Sequence, residues 1–277
     1  MIHLLLAILS SASVSLVMRL STDRAGGSGM LAMNYLTCLL LAGGFTGFSA
    51  LFPTVPSLPA TLGLGAANGL LYLLGFVLLQ VNVQKNGVVL SATFMKLGLL
   101  VPMVVSVLFF DEVPAPLQAV GFVIAVLSIV LINFEKSSAV LQFKAGLILL
   151  LLAGGGGDAM SKVFEELGDP ALSSQFLFYT FLAAFLLCIG MAIFRKERIG
   201  KSEVLYGLLI GIPNFFSARF LLLALHDMPA VIVYPTYSVA TILTVTLVGV
   251  VFFKERLGKR QWTALGGILA ALVLLNM

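Results

Sequence analysis

The chain has 277 residues, 60% of them hydrophobic and only 10% charged, with a formal net charge of +4 and a mean hydropathy of +1.11. A soluble domain carries roughly 25% charged residues, so this composition excludes a soluble globular protein and implies a polytopic membrane protein. The basic excess sits in short loops between apolar runs, where it orients helices, and nucleic acid is excluded as a partner.

Ten apolar runs of roughly 20 residues, each long enough to cross about 30 Å of hydrocarbon as a helix, are expected near 2–20, 30–52, 60–80, 87–110, 114–134, 144–165, 172–195, 203–226, 230–253 and 260–277. The fold class is therefore all-α. Hydrocarbon offers backbone groups no water partners, and the alternation of a membrane barrel is absent. The first run is kept as a helix rather than a signal peptide, because Met1-Ile2-His3 supplies no Lys or Arg. After the second run, Pro53 to Pro59 reads as a turn with a helix start. The third run carries Asn68 and Tyr72 on one face, just after Gly65-Ala66-Ala67. In the fourth, Lys96 lies about ten positions from the start, too deep to snorkel comfortably. Such a cation costs at least about 2.5–3.5 kcal/mol on insertion scales and normally faces a cavity or a partner.

Val113-Pro114-Ala115-Pro116 opens the fifth run. The sixth passes through Gly154-Gly155-Gly156-Gly157, read either as close helix packing or as a hinge, and then sets Asp158, Ser161, Lys162 and Glu165 on one face. Asp158 and Lys162 serve as coupling groups or as mutual charge compensation, with Lys96 the other partner open to Asp158. The eighth run has Asn214 after Gly211-Ile212-Pro213, with Arg219 and His226 on a second face. The asparagines suit interhelical hydrogen bonding or cargo contact, and Arg219 suits cargo contact or snorkelling. The ninth offers Tyr234-Pro235-Thr236-Tyr237, where proline frees a carbonyl. The candidate substrate-binding residues are thus Lys96, Asn68, Tyr72, Asn214, Arg219, Tyr234 and Tyr237. Cys38 and Cys188 lie in apolar runs and read as packed side chains, and neither His3 nor His226 belongs to a metal cluster. No metal, cofactor or nucleotide-binding loop is expected, and no enzymatic activity.

Residues 87–133 align with 230–276 at a constant offset of 143. Phe109-Phe110-Asp111-Glu112 falls on Phe252-Phe253-Lys254-Glu255, Gln118 on Gln261, Asn133 on Asn276, and Arg19 on Lys162. A duplication divides the chain into a first five-helix repeat at 1–134 and a second at 135–277. An odd number of helices inverts the second copy, the design of many secondary transporters. Glu112 and Glu255 stand where helices begin, which suits stabilisation of the helix dipole or a gating or proton role.

Two five-helix halves, each closing with an aromatic-rich helix, a Glu-bearing turn and a Gly-rich last helix (Gln118 to Gly121; Gln261 to Gly266-Gly267), resemble the EamA-like branch of the drug/metabolite transporter superfamily. The resemblance spans the chain and is clearest over 211–277. It implies transport of a small metabolite or drug without naming the cargo.

Lys96, Lys162 and Arg219 at membrane depth or its edge, against Asp158 and Glu165, favour a carboxylate-bearing or zwitterionic cargo. The alternatives are proton-coupled efflux of cationic drugs and a lipid-carrier flippase. The partners expected are a small-molecule substrate, with or without a coupled proton or other ion, and the lipid bilayer; the oligomeric state is monomer or homodimer. Every other Lys and Arg falls in alternate loops on one side. By the positive-inside rule that side is cytoplasmic, which puts both termini outside a plasma-membrane protein.

Overall fold

The computed structural model describes residues 1–21, 25, 27–86, 88–133, 143–197, 199–254 and 258–277. Arg24, Lys136, Arg198, Glu255 and Arg256, which carry parts of the charge asymmetry and of the repeat, lie outside the described residues, as does the side chain of Asn133.

Among the described residues the chain is helical and has no strand. The helices are α1 (Ile2–Ser21), α2 (Gly27–Thr46), α3 (Leu58–Asn86), α4 (Val88–Lys96), α5 (Leu100–Phe109), α6 (Pro116–Asn133), α7 (Lys144–Leu167), α8 (Ser173–Phe194), α9 (Lys201–Asp227), α10 (Ala230–Phe252) and α11 (Lys259–Leu275). Each of the ten expected runs carries helix, the fourth as α4 and α5 joined by a 3₁₀ turn at Leu97–Leu99. Among the described residues, eight helical stretches are long and apolar enough to cross a membrane, and Pro116–Ile132 is a shorter apolar helix. The protein is thus a multi-pass membrane protein.

The punctuation follows local chemistry. Pro116 occupies the first position of α6, where its missing N–H costs nothing. Gln118 accepts from the Ala115 N–H at 2.9 Å, and Gln261 accepts from the Gly258 N–H at 2.9 Å. Both glutamines stand three residues into the helix and reach back to the residue before it. Asp111 (φ 53°) and Lys254 (φ 54°) both turn left-handed where the preceding helix ends. Those two pairs are related by the offset of 143.

α3 runs to Asn86, beyond the expected end near residue 80, because its last turns are anchored. Asn82 donates to Gly146 O at 2.9 Å, while Asn86 donates to Phe143 O and accepts from Phe143 N at 3.2 and 3.1 Å. The bond from Phe143 N satisfies a donor that the start of α7 leaves open, and the other two tie carbonyls there to α3.

The chain forms two compact units. The first comprises Met1–Leu73 with Val163–His226, and in it α2 packs along α8. Glycines permit the close approach of neighbouring helices. A Cβ at Gly65 or Gly69 would lie 3.1 Å from Phe176 O or 2.6 Å from Thr180 O, and one at Gly207 or Gly211 would lie 2.8 Å from Met30 O or 2.6 Å from Asn34 O. These are two small-xxx-small seams, one on α3 and one on α9.

The second unit comprises Leu74–Lys162 with Asp227–Met277, and in it α6 packs along α11. α7 continues as regular helix through its four glycines, so the structure supports the packing alternative rather than a break. Gly155 lies against the Gly98 carbonyl, and a Cβ on Gly98 would come within 2.8 Å of Gly155 N. The 3₁₀ turn after Lys96 therefore sits directly on α7, one helical turn before Asp158.

Candidate substrate and charge-pairing sites

In the second unit, the backbone contact between Gly98 and Gly155 decides which charges meet. Lys96 is exposed rather than enclosed, and Asp158 is the charged group that acts on it. Tyr234, fully buried on α10, donates its hydroxyl to the Asp158 backbone oxygen at 2.5 Å. That bond uses the main chain and leaves the Asp158 carboxylate oxygens to other partners. Pro235 follows directly, inside α10, and Tyr237 is half-buried a turn farther on.

Lys162 has a different acid. Its Nζ lies 2.8 Å from Glu112 Oε1, with the two side chains 2% and 16% exposed, and 5.8 Å from the centre of the Phe110 ring. Glu112 Oε2 accepts from Val231 N at 3.2 Å. The carboxylate thus stabilises the positive end of α10, a helix far away in sequence, instead of only the helix that follows it. Of the alternatives for Asp158, the structure brings Lys96 to it and brings Glu112 to Lys162.

The first unit holds Asn68, Tyr72, Asn214 and Arg219. Asn68 is 1% exposed and donates to Thr180 Oγ1 at 3.5 Å, while its Oδ1 has no hydrogen-bond partner. Tyr72 stacks on Tyr35 with ring centres 6.1 Å apart, and Phe181 borders both rings. Asn214 donates to Asn34 Oδ1 at 3.2 Å, and the Cys38 thiol reaches the Gly211 carbonyl at 3.3 Å. Arg219 donates to Ser174 Oγ at 3.3 Å and holds its guanidinium 4.8 Å from the Phe45 ring centre. Arg219 is therefore anchored on both sides within the unit rather than snorkelling away from it.

Residues 144–277 match the model of the EamA-like transporter family. That match supports the resemblance to the drug/metabolite transporter superfamily expected from the sequence, and it suggests a membrane transporter of small molecules. An uncharacterized protein of Haemophilus influenzae is 26% identical over 274 residues, covering 94% of this chain and 92% of its own. One crystal structure of a protein has a TM-score of 0.72 at 16% identity, covering 99% of this chain and 94% of its own, which shows a common fold.

Sequence reasoning passed over several residues that the structure brings into play. Asn34, Thr180 and Ser174 each bond a candidate side chain, and Phe45 supplies the aromatic face for Arg219. Asn34 carried a usable signal, being a lone amide in an apolar run. Such a group is interhelical glue by default and seeks a partner. Thr180, Ser174 and Phe45 had none, since only helix packing decides which hydroxyl or ring meets which partner. Among the described residues no cluster of His, Cys, Asp and Glu has the makings of a metal site.

Proposed function

We propose that the protein is a ten-helix secondary transporter for a small polar or amphipathic metabolite bearing a carboxylate or a zwitterionic pair. It works by alternating access between two inverted repeats at 1–134 and 135–277. The observation that carries the cargo class is Lys96: an exposed ammonium at mid-span, with Asp158 acting on it, that the chain maintains despite the cost of membrane insertion. A desolvated, positioned ammonium is a strong partner for a carboxylate. In this reading Lys96 meets the acid group, Asp158 balances Lys96 when cargo is absent, and Tyr234 with Tyr237 shapes the neighbouring face. Asn68, Tyr72, Asn214 and Arg219 supply further polar contacts, and Lys162 serves charge compensation with Glu112.

The repeat is supported by geometry as well as by matching letters. The shift of 143 carries α1, α2, α3, α4 with α5, and α6 onto α7, α8, α9, α10 and α11, within a few residues at each end. The left-handed turns at Asp111 and Lys254 and the caps at Gln118 and Gln261 follow the same shift. The related helices α2 and α8 lie together in the first unit, and α5, α6, α10 and α11 in the second.

The test is a thermal-shift screen of purified protein against amino acids, organic acids, nucleosides and quaternary amines. A ligand at 100 times its Kd stabilises the folded state by about 2.7 kcal/mol. Carboxylates should raise the melting temperature of wild type. Lys96→Met should reduce that shift in a monodisperse protein, and Lys96→Arg should restore only part of the loss, because a planar fork replaces a compact ammonium. Unchanged carboxylate binding in Lys96→Met refutes the assignment. The efflux reading keeps one observation in its favour, the accessible acid at Asp158, and predicts the opposite pattern: quaternary amines stabilise, and proton release on binding disappears in Asp158→Asn.

A further inference from the structure

Within the first unit is a cavity of about 180 Å³, bordered by the end of α7, the start of α8 and the second half of α9. It is larger than an apolar cavity of roughly 150 Å³ that holds benzene, but it differs in carrying charge. Arg219, Ser173, Ser174 and Glu165 line it beside Phe164 and Leu222.

The guanidinium is underused. Arginine has five N–H donors, of which Nη1 makes a bond to Ser174, and among the described residues Arg219 forms no ion pair. Ser174 Oγ accepts that bond and so retains its own O–H for another acceptor. Ser173 and Ser174 are also the first residues of α8, a helix of 22 residues whose N-cap position, Leu172, provides no side-chain cap. Its positive end favours a negative group. Phe164 and Leu222 are buried apolar walls.

We propose that this cavity binds a small monocarboxylate with an apolar body. Arg219 and the Ser174 hydroxyl hold the carboxylate, and Phe164, Leu177 and Leu222 receive the body. Glu165 on the same lining opposes a second negative charge, so monocarboxylates and zwitterions are accepted and dicarboxylates are rejected. This deepens the proposed function by giving the carboxylate a second recognition point, and it rests on that reading only for the class of ligand.

The probe is benzoate, with benzamide as the uncharged match, titrated calorimetrically into the full-length protein in lipid nanodiscs. Benzoate should bind wild type and benzamide should not. Arg219→Gln should weaken benzoate on the order of 10- to 100-fold, the equivalent of one charge-assisted hydrogen-bonding group. Leu223→Trp, which fills the cavity from its wall, should abolish binding. Ser174→Ala should weaken it several-fold and provides the decisive variant if Arg219→Gln does not fold. Equal binding of benzamide, no binding to wild type, or full affinity in Ser174→Ala and Leu223→Trp overturns the proposal. Lys96→Met separates the two ideas. Benzoate binding retained there but lost in Arg219→Gln supports the cavity. Binding lost in Lys96→Met but retained in Arg219→Gln overturns the cavity while leaving the cargo reading intact.

Discussion

Removing either member of the Lys162–Glu112 pair should cost more than removing both. At 2.8 Å with both side chains mostly buried, the gross Coulomb attraction is about 6 kcal/mol at an effective dielectric of about 20. Desolvation takes back several kcal/mol per ion, so the pair itself contributes little net stability, whereas breaking a buried pair from one side costs about 3–5 kcal/mol. Glu112→Gln isolates the charge, because the amide oxygen still accepts from Val231 N. Lys162→Met keeps an apolar stem of similar length beside Phe110. Each single variant should lower the melting temperature on the order of 10 °C, at about 2–4 °C per kcal/mol for a chain of this size class. The double variant should melt above both singles, which requires a coupling energy at least as large as one single loss, about 3–5 kcal/mol. The assay is a fluorescence melt of purified wild type, both singles and the double in one detergent. Additive shifts, with the double melting below either single, would refute the claim that the two charges chiefly compensate each other.

Gly155→Ala should destabilise by about 1–3 kcal/mol, since the new methyl must displace the Gly98 carbonyl; a melt shows this, and the carboxylate response assigned to Lys96 should weaken with it. The Asn34–Asn214 bond should show a coupling of only about 0.6 kcal/mol in an alanine double-mutant cycle, the average for hydrogen bonds between membrane helices. A coupling above about 2 kcal/mol would mean the amides belong to a larger network. For topology, a cysteine at Lys201 or Lys259 in a Cys38- and Cys188-free protein should resist an impermeant thiol reagent in intact cells, while one at Asp169 should label. The reverse pattern would place the termini inside.

The all-helical class and the approximate places of the helices were legible in the letters because hydrocarbon leaves the backbone no choice but internal hydrogen bonding. Length and apolarity then suffice to mark a run. Two of the polar matches at the offset of 143 share a local task in the structure: Gln118 and Gln261 each accept a backbone N–H at the start of a helix. Partnerships were not legible. Asp158 and Lys162 share one face of α7 at the spacing of a neutralising pair, yet each meets a charge from elsewhere in the chain, Lys96 and Glu112 respectively. Helical periodicity specifies which residues share a face but carries no information about what that face will touch. That was decided by backbone approach, Gly98 on Gly155 in one unit and the glycine seams of α3 and α9 in the other. The Arg219 cavity is likewise a product of tertiary structure. Its walls come from two stretches, 164–177 and 219–226, more than forty residues apart, and the packing of α7, α8 and α9 brings them to one cavity.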